Sequence, residues 1–562
     1  MLRTVPRRSA ALLACLLAQM GCSEDAGQVE GEETACGPDE VEVAEGVCCP
    51  LGTHWLPDGA CRAVGVPQDG CGDGFVSDGA FGCNPTLPAI PCPPGQLATP
   101  GDETCREVAP CGEGPWGDIP VDATTQYVDA SHGGASDGSP TSPWTTIADA
   151  VAAAVPSAIV AIAAGTYPED VRIEQKPVRL WGRCPAMVEI RGTGGEAGAI
   201  VVDGAAATAT EVHDLAISGS DMGLVVTSTE AVVADRLWIH DTGSHGVHGE
   251  HISGATSVII RGTLVEAATE GGVVIAGAAA LVERSSIRDT REAPYSTNLA
   301  AQPSAPGSGG FANLTVTQSA ITGAQVGIAV SGATLTLDSV YVGRTAGRAL
   351  GIRQSPSSGD ISNVTATRSV FEQAQLSGIV LTGSAATFDC VVVRDITPDG
   401  LMNRGTGIFA QDNAATGARA NLTLSRSTVE RTLLLGIGIT ESDGLLEQVV
   451  VSGTAPATTG FGDGLAVVAL LESSKATMTQ MFIAESARAG VSSFGGQVTM
   501  SQASLWCSAL DLNGESQYEL GSGPKTIPFA FDDLGDNLCS CGTEPVACKV
   551  LSSGLKPPPP LE

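Results

Sequence analysis

Between Thr210 and Leu510 the chain repeats itself, and no other feature narrows its fold as much. Three copies show the repeat best: NLTVTQSAI from Asn313, NVTATRSVF from Asn363 and NLTLSRSTV from Asn421. A polar column runs through Asp235, Arg261, Arg284, Gln318, Asp338, Arg368, Asp389, Arg426, Glu447, Thr479 and Ser501, at intervals of 20 to 37 residues. A second marker, Gly followed by an apolar pair, recurs at Gly223, Gly272, Gly327, Gly351, Gly378, Gly407, Gly436 and Gly464. Units this short cannot bury an apolar face alone and must stack on their neighbours. Their richness in Thr, Val, Ile and Gly makes them strands. The chain of 562 residues therefore reads as one long solenoid with appendages rather than several globular domains.

The formal charge is −33, and lysine occurs only at Lys176, Lys475, Lys525, Lys549 and Lys556. That balance excludes nucleic acid as a partner, because affinity there rests on Lys and Arg neutralising phosphates. It also opposes a polyanionic polysaccharide unless a cation intervenes.

Residues 1–21 read as an export signal: Arg3, Arg7 and Arg8 precede an apolar run from Ala10 to Ala18 that is too short to span a bilayer. Gly21-Cys22 resembles the end of a bacterial lipobox, with Gln19 where that motif usually carries Leu. The resemblance implies a lipidated Cys22, an outer-membrane or cell-surface lipoprotein, and no membrane contact beyond the anchor. The alternative is a simple secretory signal and a periplasmic or extracellular protein. Residues 22–35 are acidic and read as a disordered tether.

Residues 36–115 carry Cys36, Cys48, Cys49, Cys61, Cys71, Cys83, Cys92, Cys105 and Cys111 among Gly and Pro. There is no CxxC and His54 is the lone histidine, so disulfides rather than zinc are expected in this small module. Nine is odd. Cys184 is therefore expected to bond a module cysteine, with Cys111 a candidate, and to pin the module against the capped end of the solenoid. Cys507, Cys539, Cys541 and Cys548 would form two further bridges, and Cys390 would stay a buried free thiol.

Residues 120–182 open the solenoid. Trp144, Ile147 and Val151 recur at helical spacing, with Ala148 and Val155 beside them, and predict a short helix starting at Ser142-Pro143. A strand over Ile159–Ala163 and a turn at Gly165 follow. Such a helix would cover the open end of a stack of strands. Tyr127-Val128-Asp129, Pro143-Trp144-Thr145-Thr146-Ile147 and Ala164-Gly165-Thr166-Tyr167 resemble the N-terminal cap of bacterial right-handed parallel β-helix proteins of the pectin-lyase-like superfamily. The resemblance implies an all-β fold: a right-handed parallel β-helix over 183–510, then a cysteine-containing cap and a disordered Pro-rich tail over 511–562. The family hosts both enzymes and non-enzymes.

Within the repeats, Ser285, Ser319, Ser339, Ser369, Cys390 and Ser427 are expected to form a ladder of small groups bonded to one another. Trp238, Leu264, Ile287, Ile321, Tyr341, Phe371, Val392, Val429, Val450 and Phe482 would be the apolar interior. Surplus residues at Thr290–Gly310, Gln354–Asp360, Thr397–Gly405 and Thr454–Gly462 fall on alternate rungs and are expected to gather on one face.

Catalytic motifs do not transfer. The resemblance would supply a catalytic Lys beside calcium-binding aspartates, but neither Lys176 nor Lys475 has such neighbours, and the chain lacks Gly-His-Gly. What remains is a histidine cluster. Asp241, His245 and His248 are candidate acid–base residues, and Asp129, Asp137, His240 and His251 are candidate metal ligands, calcium being the cation for the aspartates. An HxxHxxH pattern on a strand is expected to split across its two faces. Asp395, Asp399, Asn403 and Arg404 are candidate contacts to sugar or calcium. The reading is a non-catalytic surface β-helix that presents loops to a polysaccharide or a surface protein from behind a disulfide-rich stalk. The alternative is a polysaccharide lyase or glycoside hydrolase with a divergent site.

Overall fold

The computed structural model describes residues 36–559 apart from 38–39, 45–46, 51, 56–59, 292–295, 306–308, 399–404, 457–459, 521–522 and 541–545. The export signal, Cys22 and the tether lie outside the described residues.

Three all-parallel ladders run the length of the solenoid: sheet A with 16 strands, sheets B and C with 15 each. One rung shows the circuit. Val232–Asp235 lies in sheet A, Trp238–Thr242 in sheet B and His245–Glu250 in sheet C. The chain then returns to sheet A at Ser257–Arg261, where Val258 pairs with Val232 and Arg261 with Asp235. Successive rungs are therefore one strand spacing apart, about 4.8 Å. Inward side chains such as Leu314, Leu335, Val364, Ala386 and Leu422 stack into one continuous core. Fully burying each Val or Leu is worth about 1.5–3 kcal/mol, which is why a chain of short strands holds this shape. This is the parallel β-helix that the resemblance of the cap implied and the repeating strands foreshadowed.

The open first rung is covered by a helix over Ile147–Ala153, with Ile147, Ala150 and Val151 buried beneath it. It begins later than Ser142-Pro143. The Thr146 hydroxyl accepts from the Asp149 N–H, and the Glu169 carboxylate accepts from the N–H groups of Ile147 and Ala148, so the orphan donors are satisfied there. Trp144 is extended instead, bridged to Val128 and donating its indole N–H to Gln126. Val155 is exposed.

The corner between sheets A and B corrects two expectations. It is made by one residue in the left-handed region (Gln318, Ser339, Arg368, Cys390, Arg426) and one buried residue after it (Ser319, Val340, Ser369, Val391, Ser427). Ser339 and Cys390 thus belong to the turn position and not to the ladder. The hydroxyls of the true ladder do not bond one another. Ser369 accepts from the Val340 N–H one rung before and donates to the Thr367 carbonyl of its own rung, and Ser427 does the same for Val391 and Ser425. The apolar column slips in the same way. Ile287, Ile321, Phe371 and Val429 face the core, whereas Trp238, Leu264, Tyr341, Val392, Val450 and Phe482 pair with the outward row of sheet B. The glycine column has its own cause. A Cβ on Gly407 would lie 2.5 Å from the Gly436 carbonyl oxygen, and one on Gly436 2.5 Å from that of Gly464.

The outward apolar row is covered, because the cysteine-rich segment is not a stalk. Its described disulfides, Cys36–Cys48, Cys49–Cys61, Cys71–Cys83 and Cys92–Cys105, each close a small antiparallel hairpin. The segment then runs as a strap down the outside of sheet B, against the direction of the solenoid. Gly65 donates to the Gln448 carbonyl, Val66 and Phe75 pack on Tyr341, Val370 and Val392, and Leu97 and Val108 pack on Leu264 and Trp238. Cys111–Cys184 ties its end to the first rungs. Cys390 is a buried free thiol beneath the strap.

The solenoid does not stop at residue 510. Leu510–Glu515 extends sheet C, and Ala530–Asp533, Leu538–Ser540 and Val550–Leu551 add one irregular rung. Cys539–Cys548 staples it, and Cys507 is also disulfide-bonded, while Cys541 lies outside the described residues. The tail is packed rather than free. Leu555 joins Val468, Phe494 and Tyr518, Arg488 donates to the Lys556 carbonyl, and Pro557 and Pro558 are buried.

Candidate functional site: the outer face of sheet C

The surplus residues fall on two corners, not one. Segments 251–256, 303–312, 354–362, 412–420 and 469–474 join sheet C to sheet A, on every second rung. Segments 289–296, 395–405 and 453–462 join sheet B to sheet C. Insertions therefore border sheet C on both sides and leave its outer face as a trough.

The open part of that trough is a groove of about 500 Å³ spanning four rungs from Thr297 to Thr382. Its floor is the in-register row Ala300, Ala329, Gly351 and Val380, small enough for a ligand to approach the backbone. Gln302, Ser331, Arg353 and Thr382 stand along one side, Thr297, Val326 and Arg348 along the other. Toward the C-terminal end the face is closed: Phe409 is buried under Leu433, Leu434 and Phe461. Among the described residues no Asp, Glu, His, Lys or Cys lines the groove. Hydrolysis of a glycosidic bond calls for a pair of carboxylic groups about 5–9.5 Å apart. The groove supplies amides, hydroxyls and two guanidiniums, which bind and orient.

The sequence missed these residues. One signal was present: Gly351 breaks the glycine column, which Ala349 occupies at that rung, and so faces outward.

The histidine cluster is divided between two sheets. His240 faces out from sheet B, stacked on Trp238 at 4.0 Å, with Nδ1 2.9 Å from the Asp241 carboxylate. Asp241 also accepts from Arg291 at 2.6 Å. His245 and His248 face out from sheet C on the same side, with their Nδ1 atoms 3.2 Å apart. The expected split fails because the chain bends at Gly246, where a Cβ would lie 2.4 Å from Val265 Cγ1. Gly246 and Val247 are both buried there, so the strand parity shifts by one. His248 reaches Glu250 at 3.2 Å and His245 lies 3.7 Å from Glu270. Burial, then the neighbouring His248, push His245 down to about 4. His251 follows at the corner, its N–H bonded to the Ala276 carbonyl.

A shallow pocket of about 380 Å³ beside His240 is lined by Glu189, Arg191, Ser218 and Asp241. Burial would raise the Glu189 carboxyl, but the Ser218 hydroxyl and Arg191 guanidinium outweigh it and hold it below the usual range. The His240 bond, opposed by burial and helped by Arg291, holds Asp241 low as well. Neither group is poised to act as a protonated general acid at neutral pH.

The remaining candidates are dispersed. Asp129 turns one oxygen to the N–H and hydroxyl of Ser131, and Asp137 one to the N–H of Ser139, as in ordinary Asx turns. Among the described residues no group of three or more His, Cys, Asp or Glu is gathered to hold a metal ion. Asp395 is forked by Arg431 at 2.7 and 3.1 Å. Asp399, Asn403 and Arg404 lie outside the described residues.

A family model described as "Protein of unknown function (DUF1565)" matches residues 131–339. No curated protein matches the sequence. Among solved structures, the chain resembles the catalytic domain of a GH87 alpha-1,3-glucanase in complex with tetrasaccharides, at 13% identity and a TM-score of 0.40, over 77% of this chain and 71% of that one. It also resembles a GH136 lacto-N-biosidase from Eubacterium ramulus, at 12% identity and a TM-score of 0.39, over 63% and 67%. A GH87 alpha-1,3-glucanase from Streptomyces thermodiastaticus follows at 15% identity and a TM-score of 0.33, over 78% and 73%. The parallel β-helix class rests on this chain's own three ladders, and its chemistry on the sites described above.

Proposed function

We propose that this is an exported, non-catalytic β-helix that binds an extended glycan along the outer face of sheet C. The observation that carries the reading is the open four-rung groove, long enough at roughly 14 Å for two or three sugar units and lined, among the described residues, by no acid–base group. Export is supported by the disulfides, which persist in oxidising compartments. No described helix is long and apolar enough to cross a membrane, and a lipid at Cys22 would supply the attachment. The test is a glycan-array screen of the wild type and Gly351→Phe. A Cβ at Gly351 meets only the Ile328 carbonyl oxygen at 4.0 Å, so the ring fills the groove without disturbing the rung. Loss of glycan capture with unchanged folding is expected; equal capture by both proteins overturns the groove as the site.

A second reading, a hydrolase or lyase, is favoured by the two carboxylates flanking His240. A reducing-end assay over a panel of polysaccharides decides it. Turnover that disappears in Asp241→Ala would replace the binding reading.

A further inference from the structure

A second cavity lies on a different sheet. The linker from Pro85 to Cys92, between the third and fourth disulfide hairpins, arches over the outer face of sheet B and encloses a cavity of about 410 Å³. That is within the usual range for small-molecule sites. Its ceiling is apolar, built of Leu87, Pro88, Ile90 and Pro91. Ile90 is 77% exposed at the rim of this ceiling.

The floor is polar and buried. Ser286 and Thr322 are each 4% exposed and line the cavity, and neither hydroxyl has a hydrogen-bond partner among the described residues. Both hydroxyls open onto the cavity and are free to donate and accept, so they favour a polar occupant. The other floor groups are already engaged. Tyr341 donates to Glu372 at 3.0 Å, Arg394 donates to the second oxygen of Glu372 at 2.8 Å, and Arg288 is held by Glu266 and the Pro93 carbonyl. Arg344 at the mouth is different: among the described residues no carboxylate lies within 4.0 Å of it. Asp289 shares its field, but burial pushes that carboxyl up and weakens its claim. In a chain of net charge −33, an exposed guanidinium beside a lined cavity is a local attraction for an anion.

We infer that the cavity between the strap and sheet B binds a small polyhydroxy carboxylate of monosaccharide size. Arg344 takes the carboxylate as a fork. Ser286 and Thr322 meet hydroxyls, which donate and accept as they do. The prolines and Ile90 cover the C–H face. This site is separate from the sheet C groove in position, ligand size and residues.

Isothermal titration of the full chain with D-gluconate and D-glucuronate, against D-glucose as the neutral control, tests the inference. One saturable site for at least one acid and none for glucose are expected. Arg344→Asn removes the charge with a residue that tolerates the left-handed φ of 55°, and should weaken binding about tenfold. Thr322→Val, isosteric and without the hydroxyl, should weaken it several-fold while the melting temperature holds. Arg353→Ser, in the separate sheet C groove, should leave the affinity for the acid unchanged. No saturable heat with either acid up to about 10 mM overturns the inference. So does binding that survives both Arg344→Asn and Thr322→Val, or that is lost in Arg353→Ser.

Discussion

Arg426 reaches back one rung and forks Asp389, its Nε 2.9 Å from one carboxylate oxygen and its Nη2 bonded to the other. Arg368 treats Asp338 in the same way. Alternating Asp and Arg in the sequence column thus record a side-chain pair across a single strand spacing, although 37 and 30 residues separate the partners. Burial would raise the Asp389 carboxyl, but Arg426 and Ser425 outweigh it and hold it below its usual 3.8. Because the folded value is depressed, the stabilisation is complete above about pH 4 and fades as pH falls through the lowered value. Both side chains are partly exposed, at 47% and 27%, so Asp389→Asn should cost only about 0.5 kcal/mol at pH 7. Urea denaturation at pH 7 and pH 3 checks this: the difference between variant and wild type should shrink at the lower pH.

The Cys111–Cys184 bridge closes a 73-residue separation and ties the strap to the first rungs. Loop-closure entropy puts its contribution near 4 kcal/mol. Replacing both cysteines by Ser should lower the denaturation midpoint accordingly and make the strap more sensitive to protease than the rungs, read by mass spectrometry of limited digests.

Cys390 is 5% exposed beneath Gly70, Val66 and Phe75 of the strap, and burial, with Asp389 beside it, pushes its thiol up. A maleimide should not label it in the native protein. Phe75→Asp places a charge in that seam and should open it, giving rapid labelling while the β circular dichroism stays unchanged. Equal labelling of both proteins would show that the strap does not cover the thiol.

His245 is held near 4 against its usual 6.5, first by burial and then by His248. A histidine kept neutral in the fold binds its proton more readily when unfolded. Stability should therefore fall as pH drops from about 6.5 toward about 4, on top of any carboxylate effect. His245→Gln should flatten that part of the profile, measured as melting temperature against pH.

Anchoring is tested at Cys22. Growth with labelled palmitate should label the protein, and Cys22→Ala should abolish both labelling and membrane fractionation. A variant that stays labelled and membrane-bound would remove the lipid anchor from the reading.

The sequence by itself determined the solenoid. A strand unit that cannot bury its apolar face must stack, so the repeat of Asn313, Asn363 and Asn421 already implies a solenoid with a continuous core, while the three ladders are seen only in the structure. Residue counting also anticipated one link of the covalent frame. An odd number of module cysteines left one to find Cys184, and the structure pairs it with Cys111 while Cys390 stays free. The tertiary structure decided everything that depends on which side of a strand a residue takes. Side chains alternate with period two, so one unmarked turn residue sends a whole column to the other face. That slip put Trp238 and Tyr341 outside, where the strap covers them, and the bend at Gly246 put His245 beside His248. The groove was hidden for the same reason: Ala300, Ala329 and Gly351 look like filler in the chain. They become the floor of a groove only when rungs dozens of residues apart are stacked in register with their outward faces aligned.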